Sequence, residues 1–210
     1  MKQESCGVIG RPREFVLEEA LTAALKVFWR KGYDGASLTD LTEAMGITRP
    51  SLYCAFGNKE ALFKSALDLY EREKLAYIDQ ALSAPTAYEC VERMFAGGCR
   101  AVSDPETPGC MGVNSVLSCS SGGVASEAVR QELIDRKLDV EARVRARFEQ
   151  AKAEGDLGPD SDPRALAAFV VTIGQGLALQ AGTGASPETL QQIADTALRA
   201  IPRTCKAHAA

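Results

Sequence analysis

Residues 37–56 read SLTDLTEAMGITRPSLYCAF. Leu38 and Leu41 are spaced to face a core, and Ala44 is small where two helices cross closely. Gly46 supplies a turn, Ile47 plugs the corner after it, and Leu52 and Phe56 bury the next helix. Two short helices joined by a glycine-containing turn form the motif that lays its second helix in the major groove of DNA. Thr48 is placed to cap that second helix, and Pro50 in its first turn costs no hydrogen bond. Arg49, Ser51 and Tyr53 are left pointing outward. The pattern also suits an ordinary helical hairpin with a solvated polar flank, so on these twenty residues alone both readings stand.

The rest of the chain is helical in spacing. Leu17, Leu21, Ala24 and Phe28 form an apolar stripe closed by Gly32. Asn58 reads as an N-cap, after which Phe63, Ala66, Tyr70, Lys74, Tyr77 and Ala81 predict one long helix, about 35 Å at 1.5 Å per residue. Thr86 and Glu89 have the spacing of a capping box. Residues 103–109, SDPETPG, are a break, followed by a short helix over 110–119 and a Ser/Gly linker at 120–123. A long charged helix is expected from 126 to about 154. Asp162-Pro163 and Ser186-Pro187 each read as a cap followed by proline at the first helical position. The expectation is nine helices and an all-α chain, with no hairpin signal and no internal repeat.

Charge adds little by itself. The 210 residues carry 24 Lys+Arg against 28 Asp+Glu, a formal −4. Residues 1–60 are neutral, with eight cations and eight anions, so the deficit lies in the remainder. DNA binding would therefore depend on where a few cations sit. The single histidine, His208, stands three residues from the end, which excludes Ser-His-Asp, Cys-His and HExxH chemistry; the expectation is no enzyme, no cofactor and no bound metal. The seven cysteines (Cys6, Cys54, Cys90, Cys99, Cys110, Cys119, Cys205) form no CxxC pair and follow no secretory signal. They read as reduced thiols of a cytoplasmic protein. Residues 165–187 carry no charge over 23 positions, but four glycines and several polar residues argue for a buried, partner-facing helix rather than a membrane span.

The segment YCAFGNKEAL, residues 53–62, resembles the end of the recognition helix and start of the fourth helix in the TetR family of bacterial transcriptional regulators. Gly10-Arg11-Pro12-Arg13, Phe28-Trp29-Arg30-Lys31-Gly32-Tyr33 and Ser37-Leu38-Thr39-Asp40-Leu41 resemble the same family, so the similarity covers about residues 10–70. It implies an N-terminal three-helix helix-turn-helix domain at 10–70 (motif 37–56) and a C-terminal helical effector-binding and dimerisation domain at 71–210. It further implies that Tyr53 and Lys59 contact phosphates, that Thr39 touches the backbone, and that Thr48, Arg49, Pro50 and Ser51 lie at base edges. Arg11 and Arg13 either enter the minor groove, where narrow A·T tracts attract arginine, or form a solvated basic tail. Cys54 departs from the histidine or other polar residue of many relatives.

One recognition helix reads few base pairs, so the resemblance also implies a homodimer on a palindromic double-stranded operator. Leu166, Phe169, Val170, Ile173 and Leu177, with Leu190, Ile193 and Ala197 on the following helix, are the candidate dimer face; an intrachain core is the competing reading. A small-molecule cavity is implied between the fourth helix and those after it. Tyr70, Met94, Cys99, Cys110, Met111, Asn114 and Gln175 are its candidate lining, with Tyr77 and Phe95. The segment GCMGVNS, residues 109–115, resembles a TetR subgroup, in some members of which a cysteine senses electrophiles or oxidants. A helix-start position for Cys110 would favour a reactive thiolate. The effector is thus a noncovalent organic molecule, a thiol-reactive one or a soft metal. The functional expectation is a repressor released by its effector, against a helical small-molecule or thiol-reactive binding protein without specific DNA recognition.

Overall fold

The computed structural model describes the backbone of residues 12–119 and 127–202 and the side chains of 17–116 and 127–202. Among the described residues there are ten helices and no strand: α1 Pro12–Gly35, α2 Leu38–Met45, α3 Arg49–Phe56, α4 Lys59–Lys74, α5 Ala76–Leu82, α6 Ala87–Val102, α7 Met111–Cys119, α8 Glu127–Ala153, α9 Pro163–Gly182 and α10 Pro187–Leu198. The expected 120–123 linker, Arg11, Cys6, Cys205 and His208 lie outside the described residues, as do the side chains of Arg13 and Cys119.

Local chemistry sets most of these boundaries. Ser37 accepts from the amide of Asp40 while Asp40 accepts from the Ser37 amide, a reciprocal box worth about 0.5–2 kcal/mol to α2. Gly46 ends α2 in the left-handed conformation (φ 63), where a side chain is disfavoured. Thr48, Asn58, Thr86, Asp162 and Ser186 each accept from a first-turn amide of the helix that follows. Gly32, with φ 67 and ψ 179, interrupts α1 and swings Tyr33 inward.

The long helix expected from residue 58 onward is two helices. At Leu75 the backbone leaves the helical region (φ −104, ψ 2), ending α4 at Lys74, and α5 begins at Ala76. The physical reason is a change of core. α4 buries Leu62, Phe63, Ala66, Leu67, Leu69 and Tyr70 against α1 to α3, whereas α5 buries Ile78 and Ala81 against α6. Lys74, between them, is pulled to Asp104 at 2.8 Å.

Two apolar cores result. The first is built by α1 to α4, with Phe28, Leu41, Leu52, Leu62 and Phe63 completely shielded, and it recruits Met111, Val129 and Leu133 from α7 and α8. The second joins α5, α6, α8, α9 and α10. Cys110, half-buried just ahead of α7, packs against both. α9 is long and apolar enough to cross a bilayer, yet Ala167, Val170, Val171, Leu177, Ala178 and Ala181 are buried in the second core.

A strap at residues 103–110 ties these parts together. Lys26 on α1 pairs with Glu106 at 2.8 Å, Trp29 donates its indole N–H to the Pro108 carbonyl at 3.1 Å, and Lys74 on α4 holds Asp104. Gly109 (φ 82) brings the strap against α9 so closely that a Cβ there would lie 3.0 Å from the Ala178 carbonyl oxygen.

Candidate nucleic-acid interface

The α2–Gly46–α3 unit presents one side of α3 to solvent. Leu52 is completely buried and anchors the helix, a side chain whose burial contributes about 1.5–3 kcal/mol. Thr48, Arg49, Pro50, Ser51, Tyr53, Cys54 and Ala55 are exposed, Tyr53 by 46% despite its large ring. Thr39, on α2, is exposed beside them.

These exposed groups are already ordered relative to one another. The Arg49 guanidinium donates to the Thr39 hydroxyl at 2.8 Å, so the start of α3 is tied to the start of α2. The hydroxyls of Thr48 and Ser51 are 3.0 Å apart, and the Ser51 amide donates to Thr48 at 3.4 Å. Groups fixed in this way lose less rotamer freedom when they meet a polyanion.

Lys59 stands at the first position of α4. Its ammonium lies 4.4 Å from the centroid of the Tyr33 ring, a cation–π contact. Partial burial pushes its pKa below the usual lysine range, with the Asp34 charge acting the other way. Tyr33 is itself held edge-on to Phe63 at 5.1 Å. Glu60 reaches Lys64 on the next turn at 3.7 Å. The amide of Ala61 is taken by Asn58 at 2.7 Å. The electrostatic conflict at Lys59, a partly desolvated cation at a helix start, is relieved by an anion placed beside it. Spacing could not reveal Tyr33 as the support of Lys59, because the two are 26 positions apart.

The expected effector lining divides. Tyr70 is buried and donates its hydroxyl to the Cys110 sulfur at 3.1 Å. Burial pushes its phenol well above the ordinary range. The Tyr77 phenol is pushed up by burial too, with the Cys110 and Cys99 thiols near enough to add to the effect. Burial also raises the Cys99 thiol. Tyr70 and Cys110 therefore touch, with Tyr77 within electrostatic reach of both and Cys99 within reach of Tyr77. Met111 instead belongs to the first core and Met94 to the second, with Phe95. Asn114 faces a different cleft, and Gln175 is half-buried on α9. The seven residues expected around one cavity are thus spread over two cores and a surface cleft, because helical spacing does not say which core a helix serves. Cys110 precedes α7 rather than opening it, its carbonyl accepting from the Asn114 amide at 2.9 Å.

The expected dimer face is corrected in the same way. Val170, Leu177, Leu190 and Ala197 are buried inside the chain's own second core. Leu166, Phe169, Ile173 and Ile193 are only partly covered. With exposed Gly176 and Gln180, the first three recur along one side of α9 at helical spacing. A Cβ at Gly176 would meet nothing within 4 Å.

The family model for bacterial regulatory proteins of the tetR family matches residues 20–66, and the model for the tetracyclin repressor-like C-terminal domain matches 87–197. The chain is 37% identical over 202 residues to the HTH-type transcriptional repressor ComR of Escherichia coli (strain K12), covering 94% of each protein. It is 32% identical over 197 residues to the uncharacterized HTH-type transcriptional regulator YezE of Bacillus subtilis (strain 168), covering 92% of this chain and 100% of that one. A solved structure of a cysteine-substituted CifR, a TetR family transcriptional regulator complexed with 26 bp double-strand operator DNA, superposes with a TM-score of 0.82. Its identity is 38%, and the match covers 93% of this chain and 98% of that one.

Proposed function

Because the chain belongs to the TetR family of bacterial regulatory proteins, whose members are DNA-binding transcriptional regulators, we propose that it is a homodimeric cytoplasmic repressor whose two α3 helices read a palindromic operator and which an effector releases. The observation that carries the reading is the exposed flank of α3, with Arg49, Ser51 and Tyr53 held outward over buried Leu52. Arg49 at a base edge supplies a planar fork of donors suited to guanine. Tyr53, Thr39 and Lys59 serve the phosphates and set register without reading sequence. Residues 10–70 form the DNA-binding unit and 71–210 the effector-binding and dimerising one. Arg11 and Arg13 are assigned to the minor groove beside the α3 surface, with a solvated basic tail as the competing reading.

Pairing supplies the second half-site. The side of α9 bearing Leu166, Phe169, Ile173, Gly176 and Gln180 carries no charge and is the surface we assign to the partner, with Ile193 on α10 at its margin. Gly176 lets two backbones approach closely.

Release is assigned to the seam between the cores. Cys110 touches both cores and is held by the Tyr70 hydroxyl. A molecule lodged or bonded there forces the cores apart and changes the separation of the two α3 helices, so effector and operator affinities are linked. A noncovalent organic ligand and a thiol-reactive one both act at this place. Cys110→Ser separates them, since only the thiol-reactive effector loses its action.

The experiment for the whole reading is a fluorescence-anisotropy titration with the intergenic DNA upstream of the chain's own gene, with and without excess nonspecific duplex. Retention in the presence of competitor, lost on Arg49→Ala, is the expected result. Equal binding to any duplex, or none, rejects specific recognition.

A further inference from the structure

We propose that the cleft where α1, the 103–110 strap, α7 and α9 meet is a binding site for a small organic acid, a carboxylate carried on a compact apolar body. It is walled from the Tyr70–Cys110 seam by the Trp29 ring, which stands edge-on to Tyr70 at 4.9 Å, and it opens to solvent at the junction of the two cores. Its volume is about 290 Å³, at the lower end of small-molecule sites, which suits a single ring with a short acidic arm.

The walls supply the two chemistries such a ligand needs. Pro108 and Leu179 give apolar surface over the nearly buried Trp29 ring, and Leu179 is 44% exposed, one of five large apolar side chains left so open among the described residues. Covering it removes apolar area from water, which is favourable. Gly182, with no side chain, leaves room along the last turn of α9.

Arg30 supplies the charge. Glu106 on the strap is paired with Lys26 at 2.8 Å, which mainly holds its carboxyl low, with Arg30 a minor contributor. Asp104, the other acid of the strap, is held by Lys74. Among the described residues no carboxylate lies within ion-pairing distance of Arg30, so the strap's two acids are engaged by two lysines and the guanidinium remains available. A guanidinium beside an apolar wall favours a carboxylate over a neutral polar group, because it can donate two parallel hydrogen bonds. Thr183, whose hydroxyl is tied back to the Leu179 and Gln180 carbonyls, and Asn114 complete the rim. Since Trp29 and Arg30 belong to α1 while Leu179 and Gly182 belong to α9, an occupant bridges the reading unit and the body. That placement makes the site regulatory if the proposed function holds, but binding itself does not depend on it.

Trp29 is the single tryptophan of the chain and lines this cleft, so its emission serves without a label; because its ring also meets Tyr70, the Arg30 variants assign a change to the cleft rather than to the seam. The test is a titration of the full chain, free of DNA, with phenylacetate, phenylacetamide and phenethylammonium. Phenylacetate is expected to change the emission saturably, about tenfold more tightly than the amide. Arg30→Gln brings the acid down to the level of the amide. Arg30→Glu reverses the preference toward phenethylammonium. No saturable change with phenylacetate up to about 10 mM, or an acid preference that survives Arg30→Glu, overturns the proposal. Because no DNA is present, failure here is distinct from failure of operator recognition.

Discussion

The Arg49 guanidinium and the Thr39 hydroxyl, 2.8 Å apart, join the first turns of the two helices of the DNA-reading motif. Removing the acceptor while keeping the shape takes away that bond together with the phosphate contact assigned to the same hydroxyl. Thr39→Val is expected to cost about 2- to 10-fold in operator affinity, and Thr39→Ser to restore most of it. Anisotropy at a single fixed salt concentration measures this. Equal affinity for all three proteins would show that Arg49 needs no such support.

Lys59 is a phosphate ligand in this reading, and phosphate contacts release counterions. Lys59→Gln should weaken operator and random duplex alike and reduce the slope of log affinity against log salt by about one. A variant with an unaltered slope refutes the assignment.

Acid stability has a definite sign. Asp104 is held at a pKa of about 2, below its ordinary 3.8, first by the hydrogen bond from Lys74 and then by the Glu106 amide. On acidification the unfolded chain takes up the proton first. The stabilisation is therefore whole above about pH 4 and is lost as pH falls from 4 toward 2. Asp40, held at about 2 by Lys31 and Ser37, acts in the same window. Asp104→Asn should flatten the fall in urea midpoint between pH 5 and about 2.5. An acid limb of unchanged steepness would exclude Asp104 as a contributor.

Gly97 lets the Tyr77 ring lie on the α6 backbone: a Cβ there would stand 2.3 Å from Tyr77 Cδ2. Gly97→Ala is expected to destabilise by about 1–3 kcal/mol, despite alanine's better helix propensity. Combining it with Tyr77→Leu should recover much of the loss. Additive losses in chemical denaturation would mean that the ring is not the obstacle.

The pairing surface is tested by Phe169→Glu, which places a charge on an otherwise uncharged flank. Light scattering at micromolar concentration should report a monomer, with operator affinity falling at least tenfold. A wild-type chain that is itself monomeric removes the assignment.

Much of this architecture was legible because it is written locally. Ser37, Thr48, Asn58, Asp162 and Ser186 cap their helices with amides two or three residues away, within the reach of a pattern reading. The exposed flank of α3 was equally legible, since Leu52 and its polar neighbours alternate at helical spacing. The turn at Leu75 was not: it contains neither Gly nor Pro, and the periodicity runs across it while the core it serves changes. Nor did α9 disclose its outward side. With no charge from residue 165 to 182, its apolar pattern is nearly the same all round, so Val170 and Leu177 looked as available as Phe169. The strap pairs Lys26–Glu106 and Lys74–Asp104, and the Lys59–Tyr33 contact, join distant positions that only the folded chain brings together.

Met111, Val129 and Leu133 fill the core of α1 to α4 from helices that come much later in the chain. The DNA reader is therefore not a detachable cartridge. Severed after α4, it would bare Leu67, Leu69 and Tyr70 to water and forfeit the plugs that complete it, so grafting these helices onto a foreign body transfers the recognition surface without the means to keep it in shape.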